Sequence, residues 1–121
     1  MYVRICRYRV LPQQMERYMA IQRRASEISK KHGIGVATYF QSAHDPYEWM
    51  EVYRYSSQAA CRVTIGGLSQ QPEIMALWEE FQQVLDPAYS MVVEEFHERT
   101  WFSEPAESEL VLEDDPDLVI E

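Results

Sequence analysis

The chain changes between two hydrophobic periodicities, and the order of these changes is the strongest constraint on its fold. Residues 2 to 10 (YVRICRYRV) alternate as a two-faced strand does, with Arg4 and Tyr8 on the face opposite to Ile5. Pro12 ends this run, because proline has no amide hydrogen to donate to a neighbouring strand and is well suited to the first turn of a helix. The segment therefore predicts a strand that leads directly into a helix.

A spacing typical of helices replaces the alternation between about residues 13 and 32, and again after Pro72. Gly33 is expected to end the first of these helices in the left-handed conformation. A shorter helix is expected to begin after the serine pair 56–57, which can cap its free amides, and to end at the glycine pair 66–67.

The remaining segments are rich in aromatic and β-branched residues and predict strands. Residues 35–41 and 47–55 flank a short turn that contains aspartate and proline, which predicts a hairpin. In the second hairpin strand, Trp49, Glu51 and Tyr53 share one face. A last strand is expected within 90–102.

This order of elements predicts an α+β fold of the ferredoxin-like type, β-α-β-β-α-β. Such a chain forms a four-stranded antiparallel sheet with its helices on one face. With 121 residues there is room for one domain, which we place at residues 1–102.

The face that the helices leave open is expected to be covered by a second copy. We assign the following side chains to that face: Tyr8, Tyr39, Trp49 and Tyr53, together with Arg4 and Glu51. Because an aromatic patch of this extent is rarely left in water, we expect a homodimer in which two sheets face each other as a dimeric α+β barrel. Buried charges between the sheets would need partners or a ligand, so the interior is expected to be a lined pocket.

The net charge of −9 comes almost entirely from residues 103–121, which hold 8 acidic and no basic residues. This acidic tail is expected to be a mobile extension or an arm that docks on a partner subunit. The near-neutral remainder has no basic stripe, so nucleic acid and anionic membranes are not expected partners. No apolar run approaches the roughly 20 residues of a membrane span, and we expect a cytoplasmic protein.

Three stretches carry a resemblance to a known group of proteins. RYRVLPQQMERY (7–18), EWMEVYRYSS (48–57), and the closing helix and strand resemble the dimeric α+β barrel proteins, in particular NIPSNAP-like and antibiotic-biosynthesis-monooxygenase-like domains. The likeness covers residues 2–102. It implies a small, planar, apolar ligand. The group includes cofactor-independent monooxygenases of aromatic polyketides, quinol monooxygenases, haem-degrading enzymes and members without a known activity.

The aromatic strand residues are the candidates for binding such a ligand. Trp49 and Tyr53 could stack on a flat substrate, while Tyr8 and Tyr39 could hydrogen-bond its oxygens. Arg4 could stabilise a phenolate or enolate. The alternative is that these side chains form the core of the dimer, with an ion pair between Arg4 and Glu51.

His97 is the candidate general base, with Glu95 two residues away on the same strand face. The alternative is an ordinary charged strand surface. No cofactor is expected, and no ligands stand at the spacing of a metal site. The functions predicted are a monooxygenase-like enzyme, a non-catalytic ligand-binding or interaction protein, or an isomerase or lyase acting through His97 and Glu51.

Overall fold

The computed structural model describes residues 1–35 and 37–99, and within them the chain forms four strands and three helices. In chain order they are β1 (Tyr2–Arg9), α1 (Met15–Lys31), β2 (Thr38–Gln41), β3 (Glu48–Tyr55), α2 (Gln58–Leu68), α3 (Pro72–Val84) and β4 (Val92–His97), with one 3-10 turn at Pro12–Gln14. The strands form one antiparallel sheet in the order β2-β3-β1-β4. The predicted ferredoxin-like α+β fold is confirmed. The acidic tail lies outside the described residues.

The helix boundaries follow local signals with one exception. Gly33 takes a φ of 68° and follows α1 as predicted, and the Ser57 hydroxyl accepts a hydrogen bond of 3.0 Å from the Ala60 amide at the start of α2. The prediction that the glycine pair 66–67 ends α2 is wrong, because the helix continues through both glycines to Leu68. Leu68 is partly buried, and the hydroxyl of Ser69 donates a hydrogen bond of 2.9 Å to the Gly66 carbonyl at the end of the helix.

The sheet has its aromatic face turned towards the helices, opposite to our expectation. Tyr8 and Trp49, which are directly paired across β1 and β3, are 4% and 7% exposed. They pack in one core cluster with Tyr18 of α1 and Phe81 of α3. The Tyr8 and Phe81 rings meet edge-on at 4.8 Å, and the Tyr18 and Trp49 rings lie 5.1 Å apart. The aromatic residues are therefore covered by the chain's own helices.

The opposite face of the sheet is turned away from the helices and mixes apolar side chains with charged ones, which include the ion pair of Arg7 with Glu94. It carries Val3 and Ile5 of β1, Met50 of β3, Phe40 of β2, and Val92 and Phe96 of β4. Phe40, Val92 and Phe96 are each more than two fifths exposed. We call these six residues the open face. It remains a large apolar surface, so the physical reason for expecting a covering partner persists, but with different residues.

Arg9 fixes the end of β1 to the two neighbouring loops. Its guanidinium donates to Asp45 at 2.8 Å and to Asp86 at 2.9 Å, and it lies over the Tyr89 ring at 5.1 Å. The hairpin turn and the connection after α3 are thus tied to one strand end. None of the helices among the described residues has the length and apolarity required to cross a membrane.

Candidate functional site

A cavity of about 510 Å³ lies between the inner face of the sheet and helices α2 and α3. Its helical walls are mostly apolar and are formed by Ile65, Leu68, Ile74, Met75, Trp78 and Phe81, with Ser69 and Glu79 as polar exceptions. Its sheet wall carries most of the polar groups, which are Arg4, Cys6, Tyr8, Glu51, Tyr53 and Tyr55. A mostly apolar hollow with a few convergent polar groups is typical of a small-molecule site.

Glu51 is the centre of the polar wall. Its side chain points to the helix side because it stands directly opposite Cys6 on β1 and Tyr39 on β2. The hydroxyl of Tyr53 donates to its Oε1 at 2.5 Å, and the hydroxyl of Tyr8 donates to its Oε2. Both carboxyl oxygens are therefore held by tyrosines, which fixes the orientation of the group.

A chain of hydrogen bonds connects Glu51 with helix α1. Tyr8 and Tyr18 bring their hydroxyl oxygens within 2.5 Å of each other, and Gln22 Nε2 donates to Tyr18 at 2.8 Å. Since Tyr8 donates its proton to Glu51, its oxygen accepts from Tyr18, whose oxygen accepts from Gln22. Each hydroxyl group in this chain therefore donates its hydrogen bond in the direction of the Glu51 carboxylate.

The local environment raises the pKa of each group in this network. Burial raises the pKa of Glu51 above the usual carboxyl range, although the bonds from Tyr53 and Tyr8 and the charge of Arg4 act in the opposite direction. Burial, followed by the charge of Glu51, raises the pKa of both Tyr8 and Tyr53 far above the ordinary phenol range. The tyrosines are therefore neutral donors, and Glu51 is the group of the network whose ionised form can accept a proton.

Arg4 lines the same cavity with much of its hydrogen-bonding capacity unused. Its Nε lies 3.6 Å from Glu95 Oε2, an ion pair too long to be a hydrogen bond. That Nε is buried and has no hydrogen-bond partner among the described residues, while Nη1 reaches only the sulfur of Cys6, at 3.6 Å. The expected ion pair between Arg4 and Glu51 does not form, because Glu95 stands directly opposite Arg4 on β4.

Two of the other predicted site residues lie beside this cavity. Tyr39 lines a smaller cavity of about 180 Å³ that also touches Glu51 and Tyr53, and burial raises its pKa. Trp49 is a core residue that contacts the Tyr18 ring and does not line the 510 Å³ cavity. The structure thus brings Arg4, Tyr8, Glu51 and Tyr53 together in one wall of the 510 Å³ cavity, whereas Trp49, although paired with Tyr8, does not line that cavity.

His97 lies away from the cavity, at the end of β4. It is paired with Tyr2, and their rings meet edge-on at 5.2 Å. His97 is exposed and is not among the residues of the 510 Å³ cavity wall. The Glu95 carboxylate next to it accepts from Tyr2 and pairs with Arg4. His97 therefore lies outside the cavity wall that holds Glu51, and its role as a general base stays a prediction.

Sequence reasoning missed the residues that the helices contribute. Tyr18 and Gln22 complete the network, and Trp78 and Phe81 form the aromatic wall. In the sequence, Tyr18 stands at helical spacing with the apolar residues of the segment 13–32, which indicates only a core position. A buried tyrosine needs a partner for its hydroxyl, and that requirement was the available signal. Within the described residues no group of three His, Cys, Asp or Glu side chains converges as a metal site would require.

The chain matches no protein-family model and no curated protein sequence. Solved structures do resemble it. A NIPSNAP family protein from Agrobacterium tumefaciens has a TM-score of 0.68 at 18% identity, over 84% of this chain and 88% of that one. An antibiotic biosynthesis monooxygenase has a TM-score of 0.66 at 12% identity, over 83% of this chain and 100% of that one. A protein from Mycobacterium tuberculosis has a TM-score of 0.62 at 16% identity, over 84% and 98%.

These likenesses confirm the predicted resemblance at the level of the fold. NIPSNAP proteins and proteins named for antibiotic biosynthesis monooxygenases are both among the structures that share this fold. A shared fold does not assign a reaction.

Proposed function

We propose that this chain, whose fold is that of the dimeric α+β barrel proteins, is a monooxygenase-like enzyme for a small aromatic or quinol-like compound. One observation carries the proposal: the 510 Å³ cavity combines apolar and aromatic walls with one cluster of oriented polar groups. Its volume is in the range of pockets that enclose small molecules. Trp78 and Phe81 offer ring surfaces to a flat ligand, and Arg4 and Glu51 offer contacts to its oxygens.

Oxygenation of a quinol requires few groups from the protein beyond these. A para-hydroquinone with a free ring position and one O₂ give a hydroxyquinone and one water, and the quinol supplies the electrons. The protein must hold the quinol, take a proton from its hydroxyl and limit access of water. An ionised quinol gives an electron to oxygen more readily than the neutral form. The positive charge of Arg4 supports that ionisation.

The proposed assembly is a homodimer formed through the open face. Burying this apolar surface against an identical one removes it from water. The helix-side cavity then lies within one protomer. This differs from our prediction of a pocket between the two sheets.

Oxygen uptake with a panel of hydroquinones tests the enzymatic proposal. We expect uptake by the native chain and a loss of at least tenfold in Arg4→Gln. The matched control is Arg24→Gln, which makes the same change at a surface ion pair with Glu80 and leaves uptake unchanged. Equal rates in both variants would contradict the assigned role of Arg4. Binding of quinols without uptake would instead identify a non-catalytic ligand-binding protein.

A further inference from the structure

The carboxylate of Glu51 lies in the cavity wall, and no cationic side chain among the described residues hydrogen-bonds to it. Its two oxygens accept from Tyr53 and Tyr8, and both tyrosines are kept neutral by burial, which raises the pKa of each. Neutral donors orient a carboxylate without neutralising its charge. A buried charge in that state is costly. The site therefore gains stability when a proton or a proton donor arrives.

Arg4 supplies the complementary half of the site. Its buried Nε has no hydrogen-bond partner among the described residues, and its neighbour Glu95 lies at 3.6 Å. An acceptor oxygen of a ligand would provide the missing partner, and a negatively charged oxygen would do so best. Arg4 and Glu51 line one cavity, so one ligand can meet both.

We propose that Glu51 accepts the proton of an aromatic hydroxyl group in the cavity and that Arg4 binds the oxyanion that results, an inference that rests on the ligand class of the proposed function. The O–H bond of the ligand breaks, its electron pair stays on the ligand oxygen, and a new O–H bond forms on a carboxyl oxygen of Glu51. The total charge of ligand and site is unchanged. Glu51 replaces His97 as the general base.

The groups around Glu51 support this assignment of the proton. The charged and titratable side chains that face it or share its cavity come from β1, β2, β3, α1 and α3: Arg4, Cys6, Tyr8, Tyr39, Tyr53, Tyr55, Tyr18 and Glu79. Burial raises the pKa of the cysteine and of the five tyrosines. Glu79 on α3 shares the 510 Å³ cavity, but among the described residues it makes no hydrogen bond to the network. Glu51 is the acceptor that the hydroxyl network converges on.

Binding of 4-nitrophenol, measured by its absorbance from about pH 5 to about pH 9, tests the inference. The wild-type complex holds one proton between the phenol and Glu51. Above the pKa of the free probe, binding must therefore take up a proton, and the dissociation constant should rise about tenfold per pH unit. In Glu51→Gln the phenolate binds to Arg4 without proton uptake. Its dissociation constant should therefore be independent of pH above the pKa of the free probe. Glu80→Gln, a carboxyl-to-amide change on the surface, should behave as wild type.

Arg4 is tested in the same titration by the form of the bound probe. The wild type should bind the probe with the absorption of nitrophenolate, and Arg4→Gln should bind it as the neutral phenol. A nitrophenolate spectrum in that variant would overturn the role of Arg4. An identical pH profile in wild type and Glu51→Gln would overturn the role of Glu51 and leave the proposed function intact.

A measurement on the wild type alone covers the case in which Glu51→Gln does not fold. Calorimetry in two buffers of different ionisation enthalpy counts the protons taken up when 4-nitrophenol binds at alkaline pH. One proton per ligand supports the inference, and none overturns it. Absence of any binding by the wild type would refute the proposed ligand class itself. The expected titration without oxygen uptake from quinols would refute the oxygenase and retain the proton-acceptor site.

Discussion

Replacement of Tyr8 by phenylalanine separates the polar network from the aromatic core. The ring stays, with its edge-on contact to Phe81 at 4.8 Å, and only the hydroxyl is removed. That hydroxyl donates to Glu51 and lies 2.5 Å from the hydroxyl of Tyr18. Its loss leaves the Glu51 carboxylate with one tyrosine donor and Tyr18 without its acceptor.

The expected cost depends on the charge of Glu51. A hydrogen bond to an ionised group contributes about 2 kcal/mol to the free energy of unfolding, and a bond between neutral groups contributes about 1 kcal/mol. Burial raises the folded-state pKa of Glu51, and loss of the Tyr8 donor raises it further. The loss of the bond to Glu51 should therefore destabilise Tyr8→Phe by about 1 kcal/mol at about pH 4 and by about 2 kcal/mol at alkaline pH, and the loss of the bond with Tyr18 adds about 1 kcal/mol at either pH.

Thermal unfolding followed by circular dichroism measures this effect. For a domain of this size the alkaline total corresponds to a decrease in Tm of about 10 °C. Tyr39→Phe is the matched control. Tyr39 stands opposite Glu51 on the same sheet face, and its hydroxyl makes no hydrogen bond to the described residues. We expect a change of less than about 0.5 kcal/mol there. Equal, pH-independent losses in the two variants would refute the hydrogen-bond network.

Three further predictions test the site, the assembly and a helix start. A carboxyl with a raised folded-state pKa stabilises the fold fully below its unfolded pKa and loses that contribution as pH rises through the folded value. Glu51→Gln should therefore gain stability relative to wild type as the pH rises above about 4, and a constant difference in urea titrations would contradict this sign. Phe96→Glu, on the open face, should convert a dimer into a monomer in light scattering, and a native chain that is already monomeric would refute the proposed dimer. Ser57→Ala, which removes the 3.0 Å cap on the Ala60 amide, should lower the free energy of unfolding by about 1 kcal/mol in urea, whereas no change would show that α2 does not depend on its cap.

Much of the fold could be predicted because its signals are local. Alternation located β1 and β3, helical spacing located α1 and α3, and Gly33 and Ser57 act where their conformational preferences indicated. The end of α2 could not be found this way. The glycine pair 66–67 offers a stop that the helix does not use, because glycine permits the left-handed conformation that ends a helix but does not require it.

The candidate site was predicted in part. Arg4, Tyr8, Glu51 and Tyr53 were selected from the strands, and they do line one cavity. His97 was selected for its chemistry, but the position of β4 at the sheet edge leaves it exposed beside Tyr2. The strand register decides which partner each charge meets, and register depends on pairing between distant segments.

The sequence by itself determined which side chains share a sheet face, because alternation in a strand is a property of the local backbone. Only the tertiary structure decided which face the helices cover. Both faces of β1 and β3 are apolar enough to be buried, so hydrophobicity did not distinguish them. The choice rests on packing: Tyr18 and Phe81 meet the rings of Trp49 and Tyr8. The same choice places Glu51 and Arg4 in an internal cavity instead of a dimer interface.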